Sequence, residues 1–440
     1  MDILIKIAQL FLCFTILVGI HELGHFLMAR AFKIRVEKFY IFFDPGFSLF
    51  KFKRGDTEYG LGWLPLGGYV KIAGMIDESM DKEQMKQPVK PDEFRAKPAW
   101  QRLLVMVAGV MMNVLLAIVI YCAVCYTWGD SYFSNQDAKW GYNFNPTAHE
   151  MGFRDGDRFV SIDGEEIDNV MRVQNDLLIT DGGRRVVVER DGEPVTLDIP
   201  FESLLRMRQE KAYEDLFTLR LPFIVDSVSY TSAVEAGLES GDEVVAIDDL
   251  RDADYPRYRD YLQKHKNDKV LLTVRRDGAL IDSLALPVDA EGRIGVTVTN
   301  PYSLRTQYYT FWESIPAGIH KAGKTISSYW DQLKLIVQPK TKMYEELGGF
   351  VAIGSIFPSS WDWHDFWLKT AFLSIILAVM NLLPIPGLDG GHALFTLWEI
   401  ITRRKPSEKF LEAAQYVGLM IILALLVYAN GNDIYRFFIK

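Results

Sequence analysis

Cysteine is scarce. Only Cys13, Cys122 and Cys125 occur in 440 residues, each inside an apolar run. The polar middle of the chain has none to pair, which excludes a disulfide-stapled secreted scaffold. A basic excess is missing as well. With 48 Lys and Arg against 57 Asp and Glu, the formal net charge is -9, so no dominant phosphate-binding surface and no nucleic-acid partner is expected. At 49% apolar and 24% charged residues, the chain is neither disordered nor fibrous. Its apolar residues are unevenly spread, however. Runs near both ends flank a long, polar, Gly-dotted middle.

Four of these runs, 3–28, 103–128, 366–388 and 411–429, approach or exceed the roughly 20 residues that cross a bilayer. The first continues into His21 and Glu22 without a small-residue cleavage site, so it reads as a retained span rather than a signal peptide. The third carries Asn381, Pro384 and Pro386 near its end. Non-helical backbone at that depth is tolerated only where protein or a water-filled cavity covers it. Lys and Arg cluster after the first span (Arg30, Lys33, Arg35), before the second (Arg95, Lys97, Arg102) and between the third and fourth (Arg403, Arg404, Lys405). All three clusters fall on one side, which predicts that side to be cytoplasmic, with both termini and the middle facing outward.

Two stretches of the middle match without a gap. Residues 148–163 lie over 233–248, with Ala, Glu, Gly, Gly, Asp, Val, Ile and Asp in common. Further on, Arg190-Asp-Gly192 matches Arg276-Asp-Gly278. The pattern predicts a short helix closed by Gly152 or Gly237, a Gly-Asp turn, then an alternating strand over 157–162 or 242–247. It resembles the PDZ signature, and PDZ domains take extended peptides by strand addition. The copies could equally be spacers or a size filter. Residues 201–215 between them are charged and helical in pattern, and are expected to pack on the first copy.

The chemistry concentrates in His21-Glu22-Leu23-Gly24-His25, an H-E-x-x-H pattern. On a helix, residues four apart share a face, so both imidazoles can reach one ion. Zn2+ suits two nitrogens, a third protein ligand and an open position for a water whose proton Glu22 takes. Two histidines and a glutamate deep in an apolar span are costly unless they meet a metal or a partner. The third ligand must come from elsewhere. Asp389, in Asn381-Leu-Leu-Pro-Ile-Pro-Gly-Leu-Asp-Gly-Gly-His392, is the outstanding acid; Pro384 and Pro386 would hold it in a bend facing the first span. His392 competes on chemistry alone.

H-E-x-x-H in a first span with Asn-x-x-Pro-x-Pro-x-x-Asp-Gly-Gly in a late one resembles the site-2 proteases over nearly the whole chain, closest to their bacterial members with tandem PDZ domains. The resemblance implies zinc held by His21, His25 and Asp389, Glu22 as catalytic acid/base, and substrate shaped by Asn381, Pro384 and Pro386. Residues 60–70 resemble the family's re-entrant β-loop, which brings Gly67 and Gly68 into the substrate-binding set. One departure stands out: Gly348-Gly349, in residues 346–351, replaces an expected Gly-Pro pair.

The fold expected is a polytopic α-helical membrane protein of four transmembrane helices, with a membrane re-entrant β-loop and two extracytoplasmic PDZ domains. Its parts would be a first span 1–30, a cytoplasmic and re-entrant region 31–102, a second span 103–128, PDZ domains 129–220 and 221–305, a connector 306–365, a third span 366–392, a cytoplasmic loop 393–410, a fourth span 411–430 and a periplasmic tail 431–440. Residues 316–336 of the connector read as an amphipathic helix lying on the outer leaflet or packed on the PDZ pair. The function expected is intramembrane cleavage of single-span proteins in the bacterial inner membrane, such as pre-cleaved anti-sigma factors or remnant signal peptides, with peptide segments as partners of the PDZ domains. Two alternatives remain at this point: a metal-dependent membrane hydrolase of lipid or small amides, and a membrane-anchored PDZ adaptor with a non-catalytic metal site.

Overall fold

The computed structural model of the protein describes residues 2–64, 67–75, 88–252 and 254–439. The chain divides into two compact units, Met1–Asp130 with Tyr308–Lys440, and Ser131–Gln307.

In the first unit, helix α1 spans Asp2–Ala31, α2 Ala99–Trp128, α3 Phe311–Val337, α4 Phe350–Ser355, α5 Trp363–Leu382, α6 Asp389–Thr402 and α7 Glu408–Ile434. Among the described residues, four helical stretches are long and apolar enough to cross a membrane: Asp2–Ala31, Ala99–Trp128, Trp363–Leu382 and Lys409–Phe437. At 1.5 Å per residue, the 30-residue α1 and α2 are each about 45 Å long. Helix α2 is the hub, and α1, α3, α5 and α6 all pack along it. Gln9, Cys13, Leu17, His21, Gly24 and His25 form the buried stripe of α1 at three- and four-residue spacing. Ile3, Leu4, Ile7 and Phe11 stay exposed, as suits a lipid-facing side.

The third span differs from its expectation as one run to residue 388. Its helix stops at Leu382, the chain turns, and α6 starts afresh at Asp389. Proline has no N–H to donate and its ring clashes with the preceding turn, so Pro384 and Pro386 end the helix. Residues expected as a cytoplasmic loop instead form most of α6. Helix α3 also differs in its partner. It packs on α2, where a Cβ on Gly318 would come within 2.5 Å of the Cys122 backbone nitrogen, and Ala322 joins Tyr121 and Val124 in a shared core.

Between α1 and α2 lies a four-stranded sheet of β1 (Val36–Ile41), β2 (Phe50–Arg54), β3 (Thr57–Leu61) and β4 (Tyr69–Ile72), in the order β2-β3-β1-β4. β4 runs antiparallel to β1, with Tyr69 opposite Tyr40 and Val70 opposite Phe39. Of the segment 60–70, Pro65 and Leu66 lie outside the described residues. The ends of α1 and α6 and the start of α2 lie together. Phe32 meets Trp100 edge-on at 5.4 Å, and Arg102 donates to Glu399 at 2.5 Å. The basic residues near these helix ends thus gather at one end of the unit.

The second unit explains the repeat residue by residue. Strand Arg158–Ile162 pairs antiparallel with Arg184–Arg190, and Glu243–Ile247 pairs with Lys269–Arg276. Arg190 grips Asp157 through Nε and Nη2, both at 2.7 Å, and donates to the Gly152 carbonyl at 2.8 Å. Arg276 does the same to Asp242 at 2.6 and 2.7 Å, and to Gly237 at 2.7 Å. A planar guanidinium that ties a helix C-terminus to a buried carboxylate needs this residue and this register, so the Arg-Asp-Gly match is structural. Helix Phe201–Gln209 buries Leu204 and Met207 in the first copy's core.

Burial by itself would raise the Asp242 carboxyl, but its hydrogen bond to Arg276, the Glu239 amide and the Arg276 charge hold it below the usual carboxylate range. A carboxyl depressed in the folded state contributes stability above its unfolded pKa, about 3.9, and loses it as pH falls through the folded value. Melting scans should therefore show the second unit weakening below about pH 4. Arg276→Leu should lower its melting point at pH 7 and flatten that acid-side slope. An unaltered slope in the variant would show that the pair contributes nothing.

Candidate metal centre

His21 and His25 come from the buried stripe of α1, two-thirds of the way along it, and Asp389 is the first residue of α6. Their side chains converge. Asp389 Oδ2 lies 3.1 Å from His21 Nε2 and 3.2 Å from His25 Nε2, and the two nitrogens are 3.3 Å apart. Despite these distances, Asp389 Oδ2 is a buried oxygen with no aligned hydrogen-bond donor. Three potential ligand atoms, each within 3.3 Å of the other two, are aimed at a common point. Ligands about 2.0–2.1 Å from a tetrahedral ion stand roughly 3.3 Å from one another, so the spacing and the N, N, O donor set fit zinc. Among the described residues this is the one group of three or more His, Cys, Asp or Glu side chains able to share an ion. His392 does not belong to it, which leaves Asp389 without its competitor.

Helix α2 supplies the seat. His25 Nδ1 lies 2.8 Å from the Val105 carbonyl. A carbonyl only accepts, so Nδ1 carries the proton and Nε2 presents its lone pair to the cluster. Gly109 lies beneath both rings; a Cβ there would fall 2.4 Å from His25 Nε2 and 2.7 Å from His21 Cε1. Ten residues from the start of α2, it places the cluster about 15 Å from that helix end. Asn113, fully buried one turn further on, stands 3.3 Å from His21 Nδ1.

Glu22 flanks the cluster without joining it. The chain at Gly68 crosses beside it, since a Cβ on Gly68 would lie 3.3 Å from Glu22 Cγ and 2.8 Å from Val18 Cγ1. Gly67, at φ 149°, would bring a Cβ 3.0 Å from the Phe43 ring. These two glycines lead into β4, which is an edge strand of its sheet among the described residues. Asn381 Nδ2 is 3.4 Å from His21 Nε2, so the structure brings Asn381 to the centre. Pro384 and Pro386 are not among the side chains gathered there. They form the turn, and the Pro386 carbonyl packs on Gly418 of α7.

Gly109, Asn113 and Val105 are the residues that sequence reasoning missed, because the second span reads as a plain apolar helix. An Asn four residues after a Gly in such a span was the available signal, since polar residues inside membranes are costly.

The arrangement defines a class: an integral membrane protein with a two-histidine, one-carboxylate cluster able to hold a metal ion and a glutamate beside it. The model of "Peptidase family M50" matches residues 9–425. A Clostridium perfringens protein named "Putative zinc metalloprotease" is 30% identical, over 96% of both chains. The "Regulator of sigma E protease" of Haemophilus influenzae is 27% identical over 99% of this chain and 100% of its own. A Vibrio cholerae protein also named "Putative zinc metalloprotease" is 29% identical over 99% of each chain. The chain belongs to peptidase family M50, the site-2 proteases, and is a zinc metalloprotease of that type.

Gly109→Ala should abolish zinc retention, because the added methyl occupies the space of the imidazoles. Metal analysis of the purified variant checks this; a full zinc equivalent in Gly109→Ala would show that the rings have another seat.

Proposed function

We propose that this protein hydrolyses peptide bonds inside the transmembrane segments of single-span proteins in the bacterial inner membrane. The observation that carries the reading is the convergence of His21, His25 and Asp389, with Glu22 beside them, within apolar helices. His21, His25 and Asp389 would hold zinc, which supplies a Lewis acid for the scissile carbonyl and lowers the pKa of water. Glu22 takes the proton of the attacking water and passes it to the leaving amine.

A transmembrane helix hides its peptide bonds in its own hydrogen bonds, so substrate must be drawn into extended form before attack. Among the described residues β4 is an edge strand, and its outer side, entered through Gly67 and Gly68 beside Glu22, suits strand addition. Asn381 then offers its carboxamide to substrate backbone, while Pro384 and Pro386 shape the turn that carries Asp389. The gathering of basic helix ends at the inner side supports an active site near the cytoplasmic face, with residues 131–307 outside. The two copies in that unit are read as PDZ domains that admit substrates already shortened by a first cut. The anti-sigma class is suggested by the name of the Haemophilus relative, and remnant signal peptides share the same single-span form.

Glu22→Gln should keep its zinc and lose at least 100-fold in cleavage of a tagged single-span substrate lacking its outer domain; near-normal cleavage would remove Glu22 from the chemistry. A zinc chelator should stop the wild type equally. Excision of residues 131–307 should admit substrates with intact outer domains, and their continued refusal would show that this unit is no filter.

A further inference from the structure

Each metal-facing imidazole must carry its proton on Nδ1, because a neutral imidazole has one N–H and its Nε2 lone pair faces the centre. For His25 that proton has a visible acceptor in Val105. For His21 the facing side chain is Asn113, from the same helix and eight residues on, with a carboxamide nitrogen 3.3 Å from Nδ1. Asn113 is fully buried, and its Oδ1 has no hydrogen-bond partner. Its backbone is pinned, since Ser374 of α5 donates to the Asn113 carbonyl at 2.8 Å.

With the amide nitrogen turned to the ring, Nδ1 would have to accept. Nε2 would then carry the proton into the ligand cluster, and Oδ1 would stay stranded. A half-turn of the carboxamide is isosteric and reverses all three: Oδ1 accepts from Nδ1–H, Nε2 is freed, and the buried oxygen is satisfied. We propose that Asn113 is a positioning residue that accepts the His21 Nδ1 proton through Oδ1 and so fixes the ring in its metal-binding tautomer. Helix α2 then orients both histidines of α1, one by a main-chain carbonyl and one by a side chain.

This rests on His21 and His25 being zinc ligands. The test uses the full chain purified in detergent, as wild type, Asn113→Leu and Asn113→Asp. Zinc affinity is measured by competition with a graded chelator, and the melting point is measured alongside. Asn113→Leu, which removes the acceptor at similar volume, should weaken zinc binding 10–100-fold, and Asn113→Asp, which keeps an acceptor, should stay close to wild type. Undiminished affinity in Asn113→Leu, or an equal loss in both variants, overturns the proposal. So does a fall in melting point with zinc affinity intact, which is what a merely structural residue would give. A wild type that holds no zinc fails the ligand reading instead. Should Asn113→Leu not fold, nitrogen NMR of 15N-histidine-labelled, zinc-loaded wild type decides the matter: His21 protonated at Nδ1 supports the role, and zinc on Nδ1 refutes it.

Discussion

Two imidazoles of α1 and a carboxylate of α6 meet about 15 Å from the start of α2, among helices long and apolar enough to cross a membrane, and the membrane unit is arranged around making that tolerable. Polar groups without partners are costly in such surroundings. The buried stripe of α1 turns its histidines away from lipid, α2 closes over them, and α6 brings the acid. The approach of α2 is possible because the atoms nearest the rings are small or main-chain: Gly109 beneath both, the Val105 carbonyl against one. The same close fit holds α1 and α2 together at Gly24, where a Cβ would come within 2.5 Å of the Ala108 carbonyl.

The break in the third span follows from the same constraint. A continuous helix would carry residue 389 past the centre in whatever direction its period dictated. Ending the helix at Leu382 and beginning another at Asp389 lets the carboxylate occupy a helix N-terminus, where the aligned peptide dipoles favour negative charge. At the turn α7 packs against the Pro386 carbonyl, while Leu382 and Pro384 stay exposed.

The second unit solves a different problem. Each copy joins a short helix to a sheet through one arginine and one buried aspartate, and the two copies do so with matching atoms and distances. A bidentate pair of this kind is strong and fixes its own geometry, so the same two side chains set the same join in both copies.

The four long apolar helices, the repeat and the three side chains that converge were legible in the sequence because each is local or rests on residue chemistry. Hydrophobic run length announces a helix in lipid, a four-residue spacing puts two histidines on one face, and an acid after an apolar run is conspicuous. Gly109, Val105 and Asn113 were not legible as part of the site, because each acquires its role only from a helix 80 or more residues away in the chain. A main-chain carbonyl has no signature in the sequence, and the missing side chain of a glycine has none until something stands where it would be. The partner of α3 and the fresh start of α6 at Asp389 were likewise decided by packing. The sequence by itself marked which groups have the chemistry to act; which helix faces they meet and what closes over them belong to the tertiary structure, since orientation is set by contacts between segments that no local pattern encodes.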